Sequence, residues 1–345
     1  MHYNSMLFTY LAFVLEYGCN IKVMLTCTPV TYELLKWYVS GDYTGRGSIV
    51  LMSNHRTRQD WMMSWLALVR LHLCSYLVIV MKMGIRQVPI LGWMVQWMSI
   101  FMNRKWTQDS RSFNDLIRFY CNVISDRTSR TVFLFYPEGT DLYDKALLKS
   151  WLFADANNLP RYHYGILLHP RTLGATNLVH TIGDDLYCIV DLTIAFLFCF
   201  FFIIKKKKGY VDYEENERGN EALFVQGRWP RRVLFHLECF TLESIVKQYK
   251  ENVLPSLQQS ESDIGNVFYS PLTELPPELF YQNNDPTSSS SSSSDSKQQS
   301  KDDSQMKLEM EALTDFVQRS FLLKEIRLGL WYENHQWMED CTTKN

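Results

Sequence analysis

The sequence lacks the features that would assign the chain to several common classes of protein. Its eight cysteines include no closely spaced pair of the zinc or thioredoxin kind, so we expect reduced thiols facing a cytosol. Its 35 basic and 37 acidic residues leave a net charge of −2, which provides no long-range attraction to nucleic acid. The apolar run near the N-terminus is short, since Met6–Leu15 meets Glu16 well before the length of a membrane-spanning helix.

The sequence does contain enough apolar side chain to build a core. Apolar residues make up 46% of the chain and aromatic residues 14%, and the length allows one large domain or two small ones. Strand-like runs alternate with helical patterns, which predicts an α/β fold with a mostly buried, mixed central sheet flanked by helices. The predicted strands lie at 48–52, 75–81, 131–135, 164–168, 186–195 and 233–240.

The first of these strands leads into a polar turn that carries His55, and a helical pattern starts near Trp61. Asp60 falls in the first turn of that helix, where the turn can fold its carboxylate back onto the imidazole. A carboxylate on one ring nitrogen fixes the tautomer and leaves the other nitrogen as a general base. The helix N-terminus also favours a phosphate or an oxyanion nearby.

The spacing of His55 and Asp60 is weak as a signal by itself. The pairs His180/Asp185 and His335/Asp340 repeat it, and each is explained by a chance surface pairing. Only the first copy follows a clear strand and opens an amphipathic helix. We therefore treat only His55 and Asp60 as candidate catalytic residues.

A second polar turn follows the strand that ends at Phe135. Pro137 restricts the backbone, Gly139 permits close approach, and Glu138 and Thr140 add polar groups at the carboxyl end of the strand. Ligands of open α/β sheets bind at this edge. An ordinary Pro-Glu-Gly turn would explain this stretch in isolation, but its presence beside the first turn favours a site.

These motifs resemble the glycerolipid acyltransferase family, and within it the lysocardiolipin and lysophosphatidylinositol acyltransferase branch. The resemblance rests on the stretches Asn54–Met62, Ser99–Trp106, Pro137–Leu142 and Leu168–Gly174. It implies that His55 is the general base and that Asp60 orients it. It also implies that Arg104 holds the substrate phosphate, and that Glu138, Gly139 and Thr140 bind the acceptor.

The function implied is transfer of an acyl group from acyl-CoA to the free hydroxyl of a lysophospholipid, with no metal and no further cofactor. Asp141 stands where the lysophosphatidic-acid branch has Arg, which favours lysophosphatidylinositol, lysophosphatidylglycerol or lysocardiolipin as acceptor. The expected location is the endoplasmic reticulum or another endomembrane, with the domain on a membrane surface facing the cytosol. The alternatives are a lysophosphatidic acid acyltransferase, a hydrolase using the same pair, and a non-catalytic interaction protein.

Composition divides the chain into four predicted segments. Residues 1–46 are an amphipathic, membrane-proximal segment, and residues 47–240 are the acyltransferase domain. Residues 241–306 are a low-complexity, disordered linker with seven consecutive serines, and residues 307–345 are an amphipathic helix and tail. Because the resembling enzymes carry further apolar spans before and after the domain, we expect the chain to be truncated at both ends.

Three features leave alternatives open. His169 is a second imidazole for the site or only shapes the turn before Pro170. The Trp- and Met-rich helical stretch from Trp61 is core packing, a wall for an acyl chain, or a face in the headgroup region. The Phe- and Ile-rich run that ends in four lysines, at 197–208, is translated non-coding sequence, a hydrophobic loop or a membrane hook.

Overall fold

The centre of the molecule is a seven-stranded mixed sheet with helices on both faces, which confirms the predicted α/β class. A computed structural model of the chain describes residues 2–40, 47–89, 91–103, 105–122, 130–157, 159, 165–197, 229–254, 268–274 and 295–334. The strands are β1 Lys22–Cys27, β2 Gly47–Ser53, β3 Leu77–Lys82, β4 Ser99–Met102, β5 Arg130–Phe135, β6 Leu186–Leu197 and β7 Arg232–Phe240.

The helices that cover the sheet connect these strands and extend the chain at both ends. They are α1 His2–Phe13, α2 Pro29–Ser40, α3 Asp60–Arg70, α4 Met83–Arg86, α5 Leu91–Val95, α6 Trp106–Asn122, α7 Asp144–Ala156, α8 Thr172–Ile182, α9 Leu242–Gln248 and α10 Asp295–Asn334. Among the described residues, no helix combines the length and the apolar composition that crossing a bilayer requires.

The strand order is β1-β7-β6-β2-β5-β3-β4. Strands β2 to β6 are mutually parallel, whereas β7 runs antiparallel to β6 and parallel to β1. The carboxyl ends of β2, β4, β5 and β6 therefore meet at one edge of the sheet. This edge is where ligands bind in open α/β sheets.

Strand β2 lies in the middle of the sheet, and every residue of it is buried. Successive side chains of a strand point to opposite faces, so β2 contributes to two cores. Ile49 and Leu51 pack with side chains of α1, α2 and α3. Val50 and Met52 pack on the other face with side chains of α6, α8 and α10. The residue after β2 is thus held on a rigid, central element.

The prediction of a strand at 164–168 is wrong. Residues 165–168 form an irregular segment, with residue 164 outside the described residues. The N–H groups of Gly165, Ile166 and Leu167 donate to the side chain of Glu325, and that of Leu168 donates to Glu138. Two carboxylates thus take the place of a neighbouring strand as hydrogen-bond acceptors.

The packed unit extends beyond 47–240 in both directions. Within 1–46, β1 joins the sheet by pairing with β7. Within 241–306, α9 packs its buried Ile245 and Val246 into the core. Residues 198–208 and the serine run at 288–294 lie outside the described residues.

Helix α10 buries the apolar stripe that its sequence predicts. Leu313, Phe316, Val317, Phe321 and Leu328 are all buried in the core on the Val50 face of the sheet. The helix packs against α8, α9 and β6. The apolar face of α10 therefore packs against the domain.

Candidate active site

The turn between β2 and α3 is organised by the carboxylate of Asp60. Its Oδ2 atom lies 3.1 Å from Nδ1 of His55 and accepts the backbone N–H groups of Arg56 at 2.5 Å and Thr57 at 2.8 Å. Its Oδ1 atom accepts the Thr57 hydroxyl at 2.6 Å. Because a carboxylate only accepts hydrogen bonds, Nδ1 of His55 carries its hydrogen toward Asp60. The second ring nitrogen, Nε2, is then the one that accepts a proton.

Asn54 attaches this turn to the neighbouring strand. Its side-chain amide donates to the carbonyl of Ile194 at 3.0 Å and accepts the Ile194 N–H at 2.8 Å. The side chain thereby continues the pairing of β2 with β6 for one position after β2 ends at Ser53. His55 follows directly on this fixed point.

The His55 ring lies between a buried carboxylate and a buried phenol. Asp60 has no exposed side-chain surface, whereas 18% of the His55 side chain is exposed. The ring of Tyr136 lies 4.5 Å away at an interplanar angle of 31°. Burial, reinforced by the charge of Asp60, raises the pKa of Tyr136 well above its usual range, so this neighbour stays an uncharged phenol.

Glu138 faces into the protein. One oxygen accepts the His55 N–H at 2.7 Å and the other accepts the Leu168 N–H at 3.1 Å. Burial raises the pKa of Glu138 well above its usual range, while these two backbone hydrogen bonds favour its charged form. The contacts join the two polar turns, so Glu138 holds the backbone of His55 in place.

The residues after Glu138 form the second turn as predicted. Gly139 has a φ of 71°, a left-handed conformation that favours glycine, and its N–H donates to the Tyr136 carbonyl at 3.0 Å. The Thr140 hydroxyl donates to Asp141 at 3.2 Å. Asp141 also accepts from Nε of Arg58 at 3.2 Å, which connects this turn with the turn of His55.

Of the two remaining candidate site residues, Arg104 and His169, the structure describes only His169. Arg104 lies outside the described residues; the residues on either side of it, Asn103 and Lys105, both donate to Asp109 at 3.1 Å. His169 is buried and its N–H donates to Ser150 at 2.8 Å. Burial, followed by the charge of Arg171, lowers the pKa of His169, so its imidazole is held neutral.

The repeated spacing at His180 and Asp185 does not reproduce the geometry of the first pair. His180 is exposed on α8, and Asp185 follows in a short turn. The pair His335 and Asp340 lies outside the described residues. Within the described ranges, no group of three or more His, Cys, Asp or Glu side chains is arranged to hold a metal ion.

Three residues that organise the site, Asn54, Thr57 and Tyr136, have no role predicted from the sequence. All three lie inside the two motifs, so their position in the chain was available as a signal. Their functions depend on which atom each side chain contacts across the sheet edge, and only the folded structure provides that information.

Comparison with known proteins gives a family for this arrangement. The Acyltransferase family model matches residues 36–187. Lysocardiolipin acyltransferase 1 of Danio rerio is 33% identical over 233 residues, which cover 65% of this chain and 54% of that protein. Lysophosphatidylinositol acyltransferase 10 of Caenorhabditis elegans is 32% identical over 214 residues, which cover 60% of this chain and 49% of that protein.

A more distant similarity links the chain to a third group. The 1-acyl-sn-glycerol-3-phosphate acyltransferase delta of Mus musculus is 27% identical over 189 residues, covering 51% of this chain and 48% of that protein. The chain thus spans about half the length of these curated relatives. The matched family segment contains β2, α3 and β5 with both polar turns. Residues 36–187 of this chain therefore form an acyltransferase-family domain.

Proposed function

We propose that this protein transfers an acyl group from acyl-CoA to the free glycerol hydroxyl of a lysophospholipid. The observation that carries the proposal is the contact of His55 with the buried Asp60 at the end of the central strand. Relatives named as lysocardiolipin and lysophosphatidylinositol acyltransferases support this class of acceptor.

In the proposed reaction, Nε2 of His55 takes the proton of the acceptor hydroxyl as that oxygen attacks the thioester carbonyl. The imidazolium that forms is stabilised by the negative charge of Asp60 on the other side of the ring. When the tetrahedral intermediate collapses, the carbon–sulfur bond breaks and the imidazolium returns the proton to the CoA thiolate. Proton transfer of this kind contributes about 10²–10⁴-fold to a rate.

The acceptor would be bound at the edge where β2, β4 and β5 end. Arg104, which follows β4, is proposed to contact the phosphate, and the turn of Gly139 and Thr140 is proposed to bind the glycerol. Glu138 contributes differently, because both of its oxygens are occupied by backbone N–H groups. We assign it the positioning of His55.

Contact with a membrane surface, as expected at the endoplasmic reticulum, is part of the proposal. Trp93 and Trp97 are 70% and 75% exposed in α5 and the turn that follows it, just before β4. Tryptophan is enriched at the interface between headgroups and acyl chains. Lysophospholipids reside in that interface, so these side chains would hold the domain against the surface that contains the acceptor.

The headgroup preference is proposed to depend on Asp141. Its pairing with Arg58 at 3.2 Å neutralises a cation near the site, which favours a phosphodiester over the more highly charged lysophosphatidic acid. Replacing Asp141 by Asn should raise the activity on lysophosphatidic acid, relative to lysophosphatidylinositol, by up to about fivefold, since exposed pairs are worth about 0.2–1 kcal/mol. Asp141→Arg should shift the ratio further in the same direction.

The measurement is the ratio of initial rates with the two acceptors at equal concentration. Asp144→Asn is the matched control, because Asp144 is an exposed acidic residue at the start of α7 and should leave the ratio unchanged. An unmodified enzyme that acylates lysophosphatidic acid fastest would contradict the electrostatic argument.

The overall function is tested by the release of free CoA from acyl-CoA in membranes of expressing cells, with a panel of lysophospholipids. We expect release only when a lysophospholipid is present, together with an equal amount of diacylated product. Release without an acceptor would indicate a hydrolase that uses the same pair. No release with any acceptor would indicate a non-catalytic interaction protein.

A further inference from the structure

Helix α10 brings three charged side chains to the part of the sheet that carries the site. Lys324, Glu325 and Arg327 occupy one turn of this helix and contact β2, β6, β7 and the segment 165–167. The helix lies beyond the residues that match the family model, which end at 187. The family comparison therefore assigns no role to these side chains.

Two of the three side chains fix the helix in place. Asp191 of β6 and Glu238 of β7 are buried and lie opposite each other in the sheet, where their charges repel. Lys324 contacts Asp191 at 2.7 Å, and Arg327 forms two hydrogen bonds with Glu238 at 2.6 and 2.9 Å. Breaking a buried pair leaves an uncompensated charge, so the helix has one favoured rotation on the sheet.

Lys324 also reaches the strand that ends at the site. Its buried ammonium donates to the carbonyls of Leu192 at 3.0 Å and Met52 at 3.3 Å. The ammonium group thus has two carbonyl acceptors in addition to the ion pair with Asp191. Met52 lies three positions before His55, so the helix is joined to the end of β2.

With the helix fixed in this way, Glu325 points its carboxylate at an irregular segment of the chain. It accepts the N–H groups of Gly165 at 2.7 Å, Ile166 at 3.0 Å and Leu167 at 2.8 Å. The next N–H, that of Leu168, donates to Glu138. Two carboxylates thus bind four consecutive N–H groups.

Glu138 connects this segment to His55, the proposed general base. Its other oxygen accepts the His55 N–H at 2.7 Å. A continuous chain of hydrogen bonds therefore runs from Glu325 through residues 165–168 and Glu138 to the backbone of His55. Tyr332 of α10 makes a second contact between this helix and the turn of His55. The centroid of its ring lies 4.2 Å from the guanidinium carbon of Arg56.

We propose, on the basis of the function proposed above, that Glu325 is a positioning residue of the acyl-transfer site. It holds residues 165–167 so that Leu168 keeps Glu138 against the His55 backbone. Loss of the Glu325 carboxylate would release residues 165–167. The His55 imidazole would then no longer be held where its Nε2 can accept the proton of the acceptor hydroxyl. Glu325 contacts neither substrate in this role.

The test compares Glu325→Gln with the control Glu311→Gln in the full chain. Glutamine has the same shape but can satisfy fewer of the three N–H donors, whereas the side chain of Glu311 is 49% exposed on the same helix. We expect kcat to fall about tenfold in Glu325→Gln, with an unchanged KM for acyl-CoA. The midpoint of the pH–rate profile should also move, and Glu311→Gln should match the unmodified protein.

A second readout follows His55 without requiring activity. Diethyl pyrocarbonate modifies accessible imidazoles, and mass spectrometry gives the modification of His55 relative to the exposed His180 in the same sample. This ratio should rise severalfold in Glu325→Gln and less in Glu325→Asp, which keeps the charge on a shorter side chain. A smaller folded fraction would lower kcat without moving the midpoint of the pH–rate profile. The proposal would therefore be overturned if Glu325→Gln changed neither this midpoint nor the modification of His55 relative to His180.

The two readouts also separate this proposal from the proposed function. If the unmodified protein acylates no lysophospholipid but the ratio rises in Glu325→Gln, the function is wrong and the positioning role stands. If acyl transfer occurs and both the ratio and the pH midpoint match those of Glu311→Gln, the function stands and the positioning role is wrong. Should Glu325→Gln fail to fold, the same measurements on Glu325→Asp decide.

Discussion

His55→Ala is expected to lower the rate of acyl transfer by about 10²–10⁴-fold, the contribution of a positioned general base. The substitution removes the only group that we propose to accept the proton of the acceptor hydroxyl. The fold should persist, because Asn54 still joins the turn to Ile194 and Asp60 still accepts from Arg56 and Thr57. The measurement is the initial rate of CoA release with a saturating lysophospholipid acceptor.

The matched control is His180→Ala, which removes an exposed imidazole from a pair with the same spacing. We expect its rate to stay within a few-fold of the unmodified protein. Circular dichroism on both variants checks that the folded fraction is equal. If His55→Ala were as active as His180→Ala, the assignment of the base would be wrong.

Asp60→Asn is expected to reduce both activity and stability. The carboxylate of Asp60 accepts hydrogen bonds from His55, Arg56 and Thr57 on its two oxygens, whereas an amide offers one oxygen and an NH₂ group. An amide whose NH₂ group takes the place of Oδ2 faces the buried N–H donors of Arg56 and Thr57, which costs about 1–3 kcal/mol of the free energy of unfolding. If the NH₂ group faces His55, Nδ1 becomes the acceptor and the proton moves to Nε2.

That change of tautomer removes the base, and in the other orientation the neutral amide lacks the charge that stabilises the imidazolium, so the rate of acyl transfer should fall by about 10²–10⁴-fold. Thr57→Val is the informative comparison, because it removes one hydrogen bond to Asp60 at 2.6 Å and leaves the contact with His55. It should lower the free energy of unfolding while retaining most of the activity. An Asp60→Asn protein with normal turnover would show that the orientation of the imidazole is not needed.

Local pattern was enough to predict the two turns that form the candidate site. The strand, turn and helix around His55 involve residues within a few positions of one another, and the contact of His55 with Asp60 is made inside the same turn. The parallel arrangement of the strands then follows from the alternation of strands and helices, and it places the turn of Glu138 at the same sheet edge.

Contacts between distant parts of the chain could not be predicted in the same way. The family resemblance implies that Glu138 contacts the acceptor, whereas in the structure its oxygens accept from the backbone of His55 and Leu168, which lie 83 and 30 positions away. The segment 164–168 has the composition of a strand, but the N–H groups of residues 165–168 donate to two carboxylates. One of these carboxylates belongs to Glu325, which lies about 160 positions later in the chain.

The α/β class, the two polar turns and the apolar stripe of α10 could be predicted from sequence, because periodicity and turn chemistry are properties of neighbouring residues. Which charged side chains contact each other depends on the packing of distant parts of the chain. Lys324 interrupts the apolar stripe in the sequence, and only the packed helix shows that it lies against Asp191 and two carbonyls at the end of the central strands. The partner of a buried charge is set by how the whole sheet and helix are placed, which no local pattern contains.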